Sequence, residues 1–239
     1  MDYLAFTGRR TAFLRAFYKD ASVPFHAVRA KIEAHEEPYA DPPGYEDAEP
    51  PFLGEWMEAG DALDVLGQSV ASLLSQTLKL YIERWIGELR KRAGDEQLVK
   101  AGIGLPNSPS FKSEFKNGWF AGYRAYCRAL DIDWSESPAD LALLEQLILA
   151  RNSAQHSTDI TSVRARQTES ETTRFPNGFF ADTFDLRWNE SMTPGSRFLL
   201  PPHLDISGDK LARALDEVDA FCSWLDAQHP MRRSSHSAS

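Results

Sequence analysis

The chain has 239 residues, of which 42% are hydrophobic and 26% charged. That balance supports one elaborated globular domain, or one with a small appendage, and needs neither disulfide nor metal to staple it. The formal net charge of −9, from 35 acidic and 26 basic residues, argues against a broadly basic surface for nucleic acid. The first residues hold no apolar run of signal-peptide length, and no stretch approaches the roughly 18–20 apolar residues of a membrane span, so a cytoplasmic protein without membrane attachment is expected.

Residues 1–36 read as two helical pieces. Tyr3, Phe6, Phe13, Leu14 and Phe17 recur at turn spacing, and Asp20-Ala21-Ser22 is suited to stop one helix and cap the next. Residues 37–53 carry five prolines and read as an extended, solvated loop, because proline has no amide donor and disfavours helix in the residue before it. The acidity is concentrated here: residues 33–64 hold 11 Asp and Glu and no Lys or Arg. Without them the chain has 24 acidic against 26 basic residues, so a local basic cleft elsewhere is compatible with the net charge. A solvated surface is the simplest account of the run; a mimic of nucleic acid shielding such a cleft is the sharper alternative.

The longest periodic segment, 55–92, places Leu63, Leu66, Val70, Leu73, Leu74, Leu78, Tyr81, Ile82, Trp85 and Leu89 at the 3–4 spacing of one helical face. Gly60 and Gly67 are candidates to bend or divide it. Its end, Arg90-Lys91-Arg92-Ala93-Gly94, has cations in the last turn and glycine just past it. After a Gly/Pro loop at 95–110, one helix is expected over 113–130, with Phe115, Trp119, Phe120, Tyr123, Cys127 and Leu130 as its stripe. A base-stacking platform is conceivable there, but the spacing is that of a buried face. Asp131 and Asp133 form a DxD pair in a turn, where carboxylates ordinarily accept from nearby backbone amides. Ser137 is suited to cap the next helix, with Pro138 at its first position. That helix carries Leu141, Leu144, Leu147 and Ile148 and reaches Arg151 and His156.

Residues 157–207 are rich in Thr, Ser, Pro and Gly, with apolar patches at Phe179-Phe180 and Phe198-Leu199-Leu200 suited to a small hairpin. A final helix is expected over 207–227 and a disordered tail over 229–239. Cys127 and Cys222 sit among apolar neighbours and read as buried thiols rather than a disulfide. The expected architecture is all-α: N-terminal helices and the acidic Pro-rich loop at 1–54, then a helical bundle over 55–228 with a mostly irregular insertion at 157–207.

One segment carries pointed chemistry. Asn152 and His156 are four residues apart and share a helical face, with Arg151 about 100° round at its edge. Together they supply a permanent planar cation, an amide and an imidazole that titrates near neutrality. Arginine suits a phosphate held by two donors, and histidine suits proton transfer, so the set fits attack of a ribose 2′-hydroxyl on its neighbouring phosphate, which needs no metal. No CxxC, HExxH or tight carboxylate group adjoins His156, and neither a cofactor nor a metal is expected. A bland account also exists: cations at a helix C-terminus interact well with exposed carbonyls and the helix dipole.

Arg151-Asn152 followed by three residues and His156, at the end of a Leu-rich helix, resembles the signature of the HEPN (higher eukaryotes and prokaryotes nucleotide-binding) superfamily. The likeness covers roughly 55–160, with the final helix completing the bundle. It implies an antiparallel helical bundle that dimerises with the two motifs facing each other. It also implies a metal-independent endoribonuclease of toxin–antitoxin, phage-defence or RNA-processing type, with RNA as substrate and, in a toxin, a protein antitoxin as partner. In this family His156 would transfer protons, Arg151 would steady the phosphate and Asn152 would orient. Other members only bind nucleotides or partner proteins, so a non-catalytic helical module is the alternative expectation. A hydrolase built on dispersed Asp and Glu has no spacing to support it.

Overall fold

The computed structural model describes residues 2–40, 50–100, 104–106, 108–156, 162–191 and 201–228. Among them are nine α-helices, two short 3-10 turns and no sheet. The chain is all-α, as the periodicity predicts. It divides into two compact units: 1–13, 73–145 and 213–239 form the first, and 14–72 and 146–212 the second.

Helix α1 runs unbroken over Tyr3–Glu33, with Pro24 inside it, so the expected division at Asp20-Ala21-Ser22 does not occur. The face the helix buries explains this. Thr7, Thr11, Leu14, Tyr18 and Ser22, each three or four residues apart, are all 8% exposed or less, whereas Phe6, Phe13 and Phe17 are 40–63% exposed. Hydroxyls can be buried here because the helix itself satisfies them. Thr7 Oγ1 donates to the Tyr3 carbonyl at 2.9 Å, and Ser22 Oγ donates to Lys19 at 3.2 Å instead of capping a new helix. Thr11 Oγ1 is 3.0 Å from the Gly8 carbonyl and 2.8 Å from Asp219 Oδ1.

Helix α2, Leu53–Ala93, is likewise continuous. Val70, Leu74, Leu78, Tyr81, Ile82, Trp85 and Leu89 are buried as expected, whereas Leu63 and Leu66 are only half-buried and Leu73, expected on the same face, is exposed at its edge. Gly67 does not divide the helix. A side chain at that position would collide with the carbonyl of Ile206, so the glycine permits a close backbone approach.

In the first unit, the helix expected over 113–130 is two, α4 (Lys112–Lys116) and α5 (Trp119–Arg128), after the short α3, Asp95–Lys100. The break is at Gly118, whose φ of 105° only glycine adopts without strain. It lets the Phe115 ring fold back against Gly122 and meet Tyr123 edge-on at 5.1 Å. The core is aromatic: Trp134 lies 4.8 Å from Phe221 and 5.0 Å from Phe120, centroid to centroid. Asp133 accepts from the Ser135 amide, the local role expected of the DxD pair. Helix α6, Leu141–Gln155, is capped by Asp140 rather than Ser137: the Asp140 carboxylate accepts from Leu143 N and its carbonyl from Leu144 N. Ser137 instead accepts from Ala139 N within the preceding turn.

In the second unit, the segment after α6 is more helical than expected, with α7 at Glu169–Arg174 and α8 at Thr183–Ser191. Isolated antiparallel bridges pair Arg166 with His203 and Ala181 with Leu204. Phe179 and Phe180 form a turn leading into the second bridge; the other arm of the expected hairpin, Phe198-Leu199-Leu200, lies outside the described residues, as does the tail. Helix α9 covers Gly208–Ala227, matching expectation, with Leu211, Leu215, Val218, Phe221, Cys222 and Leu225 buried.

Both cysteines are free and buried. Burial pushes the Cys127 thiol up to about 12 and raises Cys222 as well. Thiolate, the reactive form, is therefore scarce at neutral pH. In the folded protein at pH 8, both thiols should react with an aromatic disulfide reagent at least about 100-fold more slowly than in denaturant. Rapid labelling of the native chain would contradict this packing.

Candidate functional site

Helix α6 ends on the residues that the sequence singles out. Leu143, Leu144, Leu147, Ile148 and Ala150 are all buried. The helix therefore has one apolar face committed to the interior, which fixes the direction of its last turn. Arg151 and Asn152 follow, both half-buried, and His156 is exposed just past the last helical residue. The His156 N–H still donates to the Asn152 carbonyl at 3.0 Å, so these two stand in an i,i+4 relation despite the helix ending between them.

The structure brings two of the three side chains together. Arg151 Nη1 donates to Asn152 Oδ1 at 2.9 Å, which orients the amide and leaves the rest of the guanidinium fork for other acceptors. Among the described residues no bond joins the His156 ring to either.

A neighbouring interaction that sequence reasoning missed holds this helix end. Ser153 is 8% exposed, and its hydroxyl lies 3.1 and 3.0 Å from the two carboxylate oxygens of Glu171. Glu171 is itself buried and belongs to a capping box: its carboxylate accepts from Thr168 N at 2.7 Å, and Thr168 Oγ1 accepts from Glu171 N. The signal was present in the sequence as Thr168-x-x-Glu171, the pattern of a helix start.

The same unit contains a cavity of about 470 Å³ lined by Trp56, Asp61, Asp64, Arg164, Asp182 and Asp205, among others. Arg164 stands between two carboxylates, with Nη2 2.7 Å from Asp182 and Nε 3.0 Å from Asp64; the second contact is ionic and off the N–H axis. The two carboxylates fare differently. Burial pushes Asp64 up to about 6 against the pull of Arg164, with Asp205, Asp61 and Asp182 adding to the rise. Burial also opposes ionisation of Asp182, yet Arg164 and the Asp185 and Phe184 amides hold it below the usual carboxylate range. Beyond the cavity, Asp185 Oδ2 lies 2.8 Å from both the backbone N and the ring Nδ1 of His203. The acidic run of 33–64 is thus not wholly a solvated surface, since Asp61 and Asp64 line a cavity. Among the described residues, no group of three or more His, Cys, Asp or Glu is arranged to hold a metal ion, and no helix is long and apolar enough to cross a membrane.

No family model matches the chain, and neither a curated protein nor a solved structure matches it.

Two stability measurements test this geometry. Glu171→Ala strands the buried Ser153 hydroxyl and breaks the capping box, and should cost about 1–3 kcal/mol in urea unfolding. Glu171→Gln should cost less. For Asp64, a folded pKa of about 6 against an ordinary carboxyl value of 3.8 means the native state binds the extra proton, so its contribution to stability falls as pH rises through that window. Between pH 5 and 7 the wild type should lose about 1 kcal/mol relative to Asp64→Asn. Parallel pH profiles for the two proteins would refute the assignment.

Proposed function

We propose that the protein is a metal-independent endoribonuclease of HEPN type, with Arg151, Asn152 and His156 as its catalytic set. The observation that carries this reading is the end of α6. A helix with a buried apolar face delivers a guanidinium and an amide, bonded side by side, and an exposed imidazole one turn further on. Arg151 contacts the scissile phosphate and balances the charge that grows on it in the transition state. His156, at the helix end, transfers a proton to or from the reacting oxygens, and Asn152 orients the arginine fork. Attack of the 2′-hydroxyl forms the new O–P bond as the bond to the 5′-oxygen breaks. The products are a 2′,3′-cyclic phosphate and a free 5′-hydroxyl, with no metal among the reactants. Two copies of the chain would pair with their α6 ends facing one RNA strand, and a toxin or phage-defence role with a protein antitoxin fits such an activity.

A specific observation favours a second reading. Arg151 already donates to Asn152 within its own helix, as expected of a non-catalytic module that uses this helix to bind a nucleotide or a protein.

The two readings separate in one assay, in which purified protein is incubated with a mixed RNA pool in EDTA. The wild type should cut and leave 2′,3′-cyclic phosphate ends, while folded His156→Ala should be slower by at least about 100-fold. Arg151→Ala should lose most activity as well. Cleavage that survives in His156→Ala, or that requires a divalent ion, rejects the mechanism; intact RNA with every protein favours the binding module.

A further inference from the structure

The irregular strands around the two bridges in the second unit alternate faces with the period of extended chain. Ala165, Gln167, Leu204 and Ile206 are buried, while Arg164, Arg166, His203 and Asp205 are half-buried. Most charges on that polar face are already matched. Arg164 stands between Asp64 and Asp182, Lys210 is 2.8 Å from Asp205, and Asp185 engages His203. Arg166 differs. Among the described residues it meets no carboxylate; its Nη1 donates to the Pro201 carbonyl at 2.8 Å, which occupies one of five donors.

Directly across the bridge from Arg166 is His203, whose ring orientation is set. Asp185 Oδ2 accepts from its backbone N and lies 2.8 Å from Nδ1. With Nδ1 donating to that carboxylate, Nε2 is the nitrogen left to meet a ligand. It accepts a proton from a hydroxyl when the ring is neutral and donates to a phosphate oxygen when it is charged. The ring is 17% exposed, held firmly but not sealed.

This pair also lies close to the α6 end. Arg166 is two residues, at most about 7 Å of chain, from Thr168, whose N–H binds the same Glu171 carboxylate that receives the Ser153 hydroxyl of α6. A nucleic-acid strand carries a phosphate at every nucleotide, so a strand held at one cation is presented to the next.

We propose that Arg166 and His203, with Asp185 orienting the imidazole, form a second phosphate-binding subsite for single-stranded RNA, near the Arg151–His156 set and separate from it. The subsite rests on the ribonuclease reading and extends it. Arg166 supplies a fork that matches two phosphate oxygens, and His203 a directed third contact.

Binding of a fluorescent, fully 2′-O-methylated single-stranded oligonucleotide tests this without cleavage, because the attacking hydroxyl is blocked. Anisotropy is read over a series of salt concentrations. Arg166→Ala should weaken binding about tenfold at low salt and reduce the slope of log affinity against log salt by about 0.7, the loss of one phosphate contact on a single strand. Arg166→Lys should restore the slope but not the full affinity. His203→Gln should weaken binding about threefold with an unchanged circular dichroism spectrum. Wild-type affinity and slope in both Arg166→Ala and His203→Gln would overturn the subsite and leave the ribonuclease reading standing, with Asp185–His203 then only a staple at the start of α8. Failure of the folded wild type to bind the oligonucleotide at any salt would overturn both.

Discussion

A carboxylate largely shut off from water holds the end of α6 in place. Glu171 cannot be buried unless donors replace the water it gives up, and those donors come from two directions, the Ser153 hydroxyl on α6 and the Thr168 amide at the start of α7. Each donor belongs to a segment whose position matters elsewhere. Ser153 follows Asn152, so fixing it fixes the turn from which Arg151 and Asn152 project. Thr168 follows Gln167, whose amide donates to the Pro202 carbonyl and so continues the pairing that sets Arg166 opposite His203. One buried acid thus ties the last turn of α6 to the start of α7.

Arg164 does comparable work with less success. One guanidinium serves two carboxylates, and the one it serves better, Asp182, also receives two backbone amides. Asp64 gets the poorer ionic contact and has three further acids near it. Its carboxyl is therefore the one whose ionisation the fold resists. Shared cations in half-buried places produce such unequal outcomes because donor geometry and residual solvent decide which carboxylate keeps its charge cheaply.

Much of the fold could be read from the sequence, and the exceptions have physical causes. The faces of α2 and α9 and the Leu-rich side of α6 were legible because leucines, valines and aromatics recur with the helical period. α1 was misread for the same reason. Large apolar residues were assumed to mark its inner face, whereas threonines and a serine with self-satisfied hydroxyls occupy it and the phenylalanines face water. Asp140 displaced Ser137 as a cap by three residues, since Pro138 allows a turn as readily as a helix start. Arg151 and Asn152 were legible as a pair, being adjacent on one periodic helix. Asp185 and His203, 18 residues apart, and Asp64 with Arg164, still further apart, meet only through irregular chain that carries no period to read.

The make-up of α1 has a consequence for motion. Its buried stripe is Thr7, Thr11, Leu14, Tyr18 and Ser22, and three of those five side chains keep a hydrogen bond to their own helix whether or not anything covers them. Uncovering such a face wets little hydrocarbon and leaves those hydroxyls with a partner, so the free energy of lifting it is small beside that of α9, whose inner face is Leu211, Leu215, Val218, Phe221 and Leu225. Two long helices of the same fold therefore differ in how tightly they are fastened. Amide exchange should therefore find the N-terminal helix opening at a lower free energy than the C-terminal one.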